Sequence, residues 1–197
     1  MVETFKKSIL AGIAISLGCT IYLSVDNKYI GAFLFSLGLI TICSRGWALF
    51  TGKLCTVTLD SNSLIEIVVV WLGNLTGALG TALISSGFIK PEMTELIINN
   101  KINTLPIVLF AKAIFCEFCI YIAVVGYKKI KSDLGKYLSI VLGIMMFILS
   151  GFEHCVADMF YILSNTIANP TIIGFMVLMV VTFGNVFGAL ILRILDN

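Results

Sequence analysis

The chain has 197 residues, of which 59% are hydrophobic and only 12% are charged. Soluble domains are about half apolar and about a quarter charged, so this composition excludes an ordinary soluble domain and indicates a membrane protein. The formal net charge of +2 is too small to suggest a nucleic-acid partner.

Apolar stretches long enough to cross a bilayer recur along the chain. A spanning helix needs roughly 20 predominantly apolar residues. The sequence predicts six spans in an all-α membrane protein, at about 8–25, 30–45, 64–89, 105–127, 137–163 and 171–193.

The basic residues are distributed unevenly between the predicted loops. With the N-terminus inside, the cytoplasmic segments carry Lys6, Lys7, Lys128, Lys129, Lys131, Lys136 and Arg193, and the outer loops carry only Lys28, Lys90 and Lys101. By the positive-inside rule, this asymmetry predicts a multi-pass protein of the cytoplasmic membrane with both termini in the cytoplasm.

A seven-residue motif occurs twice. GNLTGAL begins at Gly73 in the third span and GNVFGAL begins at Gly184 in the sixth, 111 residues later, with five of seven positions identical. Glycines four apart share one helix face and let another backbone approach closely. Because each half has three spans, the second copy must enter the membrane inverted. The chain is therefore predicted to be one transmembrane domain, 1–197, with inverted repeats at about 5–89 and 101–194.

Two spans carry features of interrupted helices. The second contains SRGWALFTGKLC (44–55) and the fifth contains SGFEHC (150–155), each with glycine and charged residues inside an apolar run. In inverted-repeat transporters, corresponding helices are often broken near the midplane, where they line the pathway. Thr51 and His154 are therefore predicted to meet near the pseudo-two-fold axis.

Charged residues at membrane depth need compensation. Each would cost about 2.5–3.5 kcal/mol at a helix centre by insertion scales, so several of both signs indicate ion pairs or a wet cavity. The pore-associated charges are Lys53, Glu117, Glu153 and Asp158. An alternative is that some of these charges only fix the packing of helices.

Four motifs, in order, resemble the formate/nitrite transporter family. SGFEHCVADMF (150–160) is similar to that family's signature, ALFTGK (48–53) to its loop in the second helix, and GNLTGA and GNVFGA to its glycine motifs. The resemblance implies an aquaporin-like fold that assembles as a homopentamer with one pore per protomer. It also implies passage of small monovalent anions of weak acids, such as formate, nitrite or hydrosulfide, passively or coupled to protons.

The resemblance also implies roles for individual residues. The central polar pair of the pore would be Thr51 and His154, the apolar constrictions would be Phe35, Leu39, Leu49 and Phe147, and the vestibule lysine that concentrates anions would be Lys101. A histidine suits proton supply to the anion, because its unperturbed pKa of about 6.5 is close to physiological pH.

Several positions depart from the family pattern, among them Ala48, which stands where an acid is frequent, and three charged residues. Lys53, Glu117 and Asp158 stand where the family usually has neutral polar residues. We expect these three side chains to form a compensating ion network around His154 that retunes its proton supply.

Two other functions remain open at this stage. Cys116 and Cys119 form a CxxC pair, which membrane thiol oxidoreductases use, although two buried structural cysteines are the simpler interpretation. Glu117, Glu153 and Asp158 suggest a pathway for ammonium or another small solute. The pattern calls for no cofactor and no metal ion, and the chain is not expected to be an enzyme.

Overall fold

The computed structural model of the protein describes residues 1–56, 60–168 and 172–196. These ranges contain the helices α1 (Val2–Ser24), α2 (Lys28–Arg45), α3 (Phe50–Leu54), α4 (Ser61–Ser85), α5 (Pro91–Ile102), α6 (Pro106–Lys129), α7 (Asp133–Leu149), α8 (Cys155–Ala168) and α9 (Ile172–Leu195). No strand occurs within the same ranges, so the prediction of an all-α chain is confirmed.

Five of the described helices are long and apolar enough to cross a membrane, namely α1, α2, α4, α6 and α9. Each falls on one of the predicted spans. The remaining prediction, 137–163, falls on two shorter helices, α7 and α8, with a non-helical segment between them. Residue 171, where the last span was predicted to start, and residue 197, where the predicted domain ends, lie outside the described residues.

A helix was missed between the third and fourth predicted spans. The sequence predicts an outer loop there, but the segment contains α5, which begins at Pro91. Proline is favoured at the first helical position because its fixed φ suits the helix and its missing N–H would be unsatisfied there in any case. Helix α5 packs against α8 and α9 and places Lys101 in its last turn.

Helices α2 and α7 end in the same way. Gly46 follows α2 with a φ of 63°, and Gly151 follows α7 with a φ of 65°. The next residue in each case, Trp47 or Phe152, donates its N–H to a carbonyl five residues earlier. This is the Schellman arrangement, in which a glycine in the left-handed region turns the chain sharply out of the helix.

The doubled glycine motif brings helices into backbone contact. On α4, a Cβ added to Gly77 would lie 2.2 Å from the carbonyl oxygen of Ile9 in α1. On α9, a Cβ added to Gly184 would lie 2.5 Å from the Cβ of Ala113 in α6. The two copies of the motif therefore make equivalent contacts, α4 with α1 and α9 with α6, and each holds a helix pair close enough for side chains to reach across it.

We predict that Gly77→Ala destabilises the protein by about 1–3 kcal/mol, because α1 and α4 must separate to admit the methyl group. Gly80→Ala, on the same helix, is the matched control, since nothing lies within 4 Å of a Cβ at Gly80. Thermal unfolding of both variants in detergent is the measurement. Equal midpoints for the two alanine variants would contradict the close α1–α4 contact.

Candidate functional site

The side chain of Asn74 ties the segment after α2 to its neighbours. Its Oδ1 accepts a hydrogen bond, 2.8 Å long, from the backbone N–H of Phe50, and Phe50 is the first residue of α3. Its Nδ2 donates to the carbonyls of Ser8 at 2.7 Å and Ala48 at 3.0 Å. The first N–H groups of a helix have no partner within the helix, so Asn74 satisfies one of them from a different helix.

Asn185 makes the equivalent bonds in the second half. Its Oδ1 accepts a hydrogen bond, 3.0 Å long, from the backbone N–H of Cys155, and Cys155 is the first residue of α8. Its Nδ2 donates to the carbonyls of Ala113 at 2.8 Å and Glu153 at 3.1 Å. Both asparagines are fully buried. We call each of them an asparagine clamp, because its three bonds hold a non-helical segment and the start of the helix that follows it.

The two clamped segments meet through Thr51 and His154. Thr51 Oγ1 lies 2.9 Å from His154 Nε2, and both side chains are buried. The backbone N–H of Ala157 donates to His154 Nδ1 at 3.2 Å. Because Nδ1 is thereby an acceptor, the proton of the neutral ring lies on Nε2, which donates to Thr51 Oγ1. The hydroxyl hydrogen of Thr51 is then free to reach another acceptor.

Two of the predicted constriction residues lie beside His154. The Phe147 ring stacks on the imidazole with centroids 5.6 Å apart, and Phe35 packs edge-on against Phe147 at 5.9 Å. All three rings line a cavity of about 160 Å³ that also reaches Lys101, and we call it the Lys101 cavity.

The other two predicted constriction residues line a different cavity. Leu39 and Leu49, both buried, border a space of about 310 Å³ that also contacts Lys53 and Lys128, and we call it the Lys53 cavity. Residues of the second span thus contribute to both spaces, Phe35 to one and Leu39 to the other.

Lys101 is not a free cation. Its side chain is only 11% exposed, and Nζ forms ion pairs with Glu153 and with Asp158, the latter at 2.9 Å. Burial by itself would lower the pKa of Lys101, but the carboxylates of Asp158 and Glu153 together raise it above the ordinary lysine value. The lysine therefore keeps its charge inside the protein.

The expected ion network around His154 is wrong in its pairing. Lys53 forms its ion pair with Glu66 of α4, at 2.8 Å, and not with Glu117. Glu117 is fully buried in α6, where Oε1 accepts from Cys55 Sγ at 3.3 Å and Oε2 has no hydrogen-bond partner among the described residues. Asp158 pairs with Lys101. The charges predicted to surround one histidine therefore belong to three separate groups.

Sequence reasoning missed three residues that build the site. Asn74 and Asn185 lie inside the doubled motif, and an asparagine that both copies carry between two packing glycines is the signal that indicates a buried polar anchor. Glu66 gave no signal, because nothing in the sequence places it opposite Lys53.

The fold and the site together define a class. Two non-helical segments are held by equivalent buried asparagines and meet through a buried polar pair, next to a cavity that His154 lines. Together with the apolar helices, this arrangement is typical of a multi-pass membrane transport protein. The chain matches the formate/nitrite transporter family over residues 1–195, and it belongs to that family. Since the family is one of transporters, the prediction that the chain is not an enzyme is confirmed.

Individual relatives agree with this assignment. The chain is 28% identical to formate channel FocB of Escherichia coli over 185 residues, covering 82% of this chain and 66% of the relative. It is 28% identical to nitrite transporter NirC of Salmonella typhimurium over 175 residues, covering 78% of this chain and 64% of the relative. The chain thus spans slightly less than two thirds of the length of these relatives.

A solved structure described as a pentameric formate channel with formate bound is also similar. It superposes with a TM-score of 0.86 at 25% identity, and the match covers 98% of this chain and 94% of that chain.

We predict that Asn74→Ala destabilises the protein by about 2–6 kcal/mol, because it removes the side-chain partner of two buried backbone groups, the Phe50 N–H and the Ala48 carbonyl, at roughly 1–3 kcal/mol each. Asn74→Asp should rescue only part of this loss, since a carboxylate accepts from Phe50 but cannot donate to the two carbonyls. Asn62→Ala, at an exposed position of the same helix, is the control. Detergent unfolding midpoints test the order, and an Asn74→Ala variant as stable as Asn62→Ala would contradict it.

Proposed function

We propose that this chain forms a channel for small monovalent anions of weak acids, such as formate, nitrite or hydrosulfide, across the cytoplasmic membrane. The observation that carries the proposal is the hydrogen bond between Thr51 and His154, which joins the two clamped segments. His154 lines the Lys101 cavity, and Thr51 is followed in the chain by Gly52 and Lys53, which line the Lys53 cavity. Membership of the formate/nitrite transporter family supports the same conclusion.

The proposed architecture is one aquaporin-like domain with six spans. In it, α2 continues through α3 as one interrupted span, and α7 continues through α8 as another. The equivalent bonds of Asn74 and Asn185, and the shared Schellman ends at Gly46 and Gly151, support inverted repeats at about 5–89 and 101–194.

In this proposal, the rate of transport depends on the cost of removing water from the anion at the apolar constrictions. A bare anion between Phe35 and Phe147, or between Leu39 and Leu49, would lose hydration at high cost unless hydrogen-bond donors replace it. The hydroxyl hydrogen of Thr51 is such a donor, held in place by His154. Passage as the neutral acid, with proton coupling through this pair, would lower the cost further and remains a prediction.

The proposed assembly is a homopentamer in the cell membrane with both termini in the cytoplasm. The similar solved channel is described as pentameric, and the large apolar side chains exposed on the spanning helices, among them Leu17, Phe115 and Phe183, require lipid or neighbouring protomers.

The alternative functions receive unequal support. Cys116 and Cys119 are unpaired and buried, as expected of structural cysteines. The two carboxylates on Lys101 do make a cation such as ammonium worth testing as a substrate.

The decisive experiment is flux into proteoliposomes that contain the purified protein. We expect gradients of formate, nitrite and hydrosulfide to dissipate faster than in protein-free liposomes, and ammonium gradients to dissipate at the background rate. Flux of ammonium without flux of any of the anions would overturn the proposed function.

We predict that Thr51→Val lowers anion flux at least about tenfold while the assembly stays intact, because it removes a donor with little change in volume. Thr51→Ser should retain most of the flux, since it keeps the hydroxyl. Thr76→Val is the matched control, because that hydroxyl bonds only within α4 and its side chain is exposed. Unchanged flux in Thr51→Val would remove Thr51 from the pathway.

A further inference from the structure

The Lys101 cavity is lined by more acidic than basic side chains. Among the described residues that line it, the charged ones are Lys101, Glu153 and Asp158. Glu153 alone would neutralise the lysine. With both carboxylates ionised, Asp158 brings the sum of the three formal charges to minus one.

Among the described residues, no other side chain that lines the cavity carries a positive charge to offset this excess. The remaining polar lining groups are the hydroxyls of Tyr22 and Tyr161 and the ring of His154. The ring accepts the Ala157 N–H at Nδ1, which is the geometry of a neutral imidazole. Lys101 retains its proton, because its pKa is lowered by burial but raised more strongly by Asp158 and Glu153.

The position of Asp158 makes its charge difficult to compensate in other ways. The side chain is 1% exposed, Oδ1 faces Lys101 Nζ at 2.9 Å, and Oδ2 has no hydrogen-bond partner among the described residues. Its own backbone N–H bonds to the carbonyl of His154 and so keeps it one turn from the central pair. A charge buried in this way acts on any ion that enters the cavity, and its effect on an ion that is still approaching through water is screened by salt.

We propose that Asp158 is a specificity-determining residue that leaves the Lys101 cavity with a net negative charge, so that the cavity disfavours an anion relative to an uncharged solute. This inference rests on the proposed function, because it concerns how that channel admits its substrate. In this arrangement Lys101 does not concentrate anions as a vestibule lysine would. Instead, it holds two carboxylates beside His154.

The sign of the salt dependence tests this idea. If the cavity repels an arriving anion, added salt screens the approach and raises uptake; if it attracts, added salt lowers uptake. For the wild-type protein we expect initial formate and nitrite uptake into proteoliposomes to rise as ionic strength increases from about 0.01 M to about 0.3 M with impermeant ions. In Asp158→Asn the cavity is neutral, so uptake at low ionic strength should rise about threefold or more and the salt dependence should flatten.

Asp133→Asn is the matched control, since it removes the same charge from an exposed position at the start of α7. It should behave as the wild type does. Asp158→Ser removes the charge with a smaller polar side chain and replaces Asp158→Asn if that variant fails to fold, as judged by its elution and unfolding midpoint in detergent.

The outcomes separate the two proposals. Wild-type uptake with the expected salt dependence, lost in the variant at position 158 and kept in Asp133→Asn, supports the role of Asp158. Measurable wild-type anion uptake that the folded 158 variants leave unchanged in size and salt dependence overturns that role and leaves the proposed function standing. No uptake of any small anion by the wild type and by the folded 158 variants overturns the proposed function, and this inference with it.

Discussion

The structure depends on a single kind of interaction, a buried asparagine amide that satisfies backbone groups of a non-helical segment and of the helix that follows it. A break inside a membrane exposes N–H and C=O groups that lipid cannot satisfy, and each would cost several kcal/mol. Asn74 and Asn185 each accept from the first residue of a helix and donate to two carbonyls. The packing glycines beside them bring the partner helices within reach of these short side chains. The Thr51–His154 pair exists because both breaks are stabilised in this way.

Features with a strong local signature were predictable from the sequence. Five spans emerge from apolar length alone, and the glycines of the doubled motif predict the close helix contacts because a missing Cβ has a direct steric consequence. Thr51 and His154 could be paired because their separation of 103 residues is close to the spacing of the doubled motif, and the two side chains are in contact. Each of these inferences needs only local composition and the internal symmetry.

The ion pairs could not be predicted in the same way. Several carboxylates that are distant in the sequence are possible partners for each lysine. Which of them forms the ion pair depends on the rotation and tilt of the helices, and composition does not specify these. Lys53 reaches Glu66 rather than Glu117, and Lys101 reaches inward because α5 is a helix and not an open loop. The prediction of one ion network was wrong because it grouped the charges by their expected depth in the membrane. Contacts between side chains depend instead on which helix face each residue occupies.

Helix α5 is also the segment that joins the two halves of the chain, and it carries Lys101 into the site. In many duplicated proteins the connector is a passive tether whose length drifts freely during evolution. Here an insertion or deletion between Pro91 and Ile102 would rotate the lysine away from both carboxylates by about 100° for each residue. The length of α5 is therefore constrained by these two ion pairs, and a version of this protein split into two separate polypeptides would have to keep α5 whole on one of them.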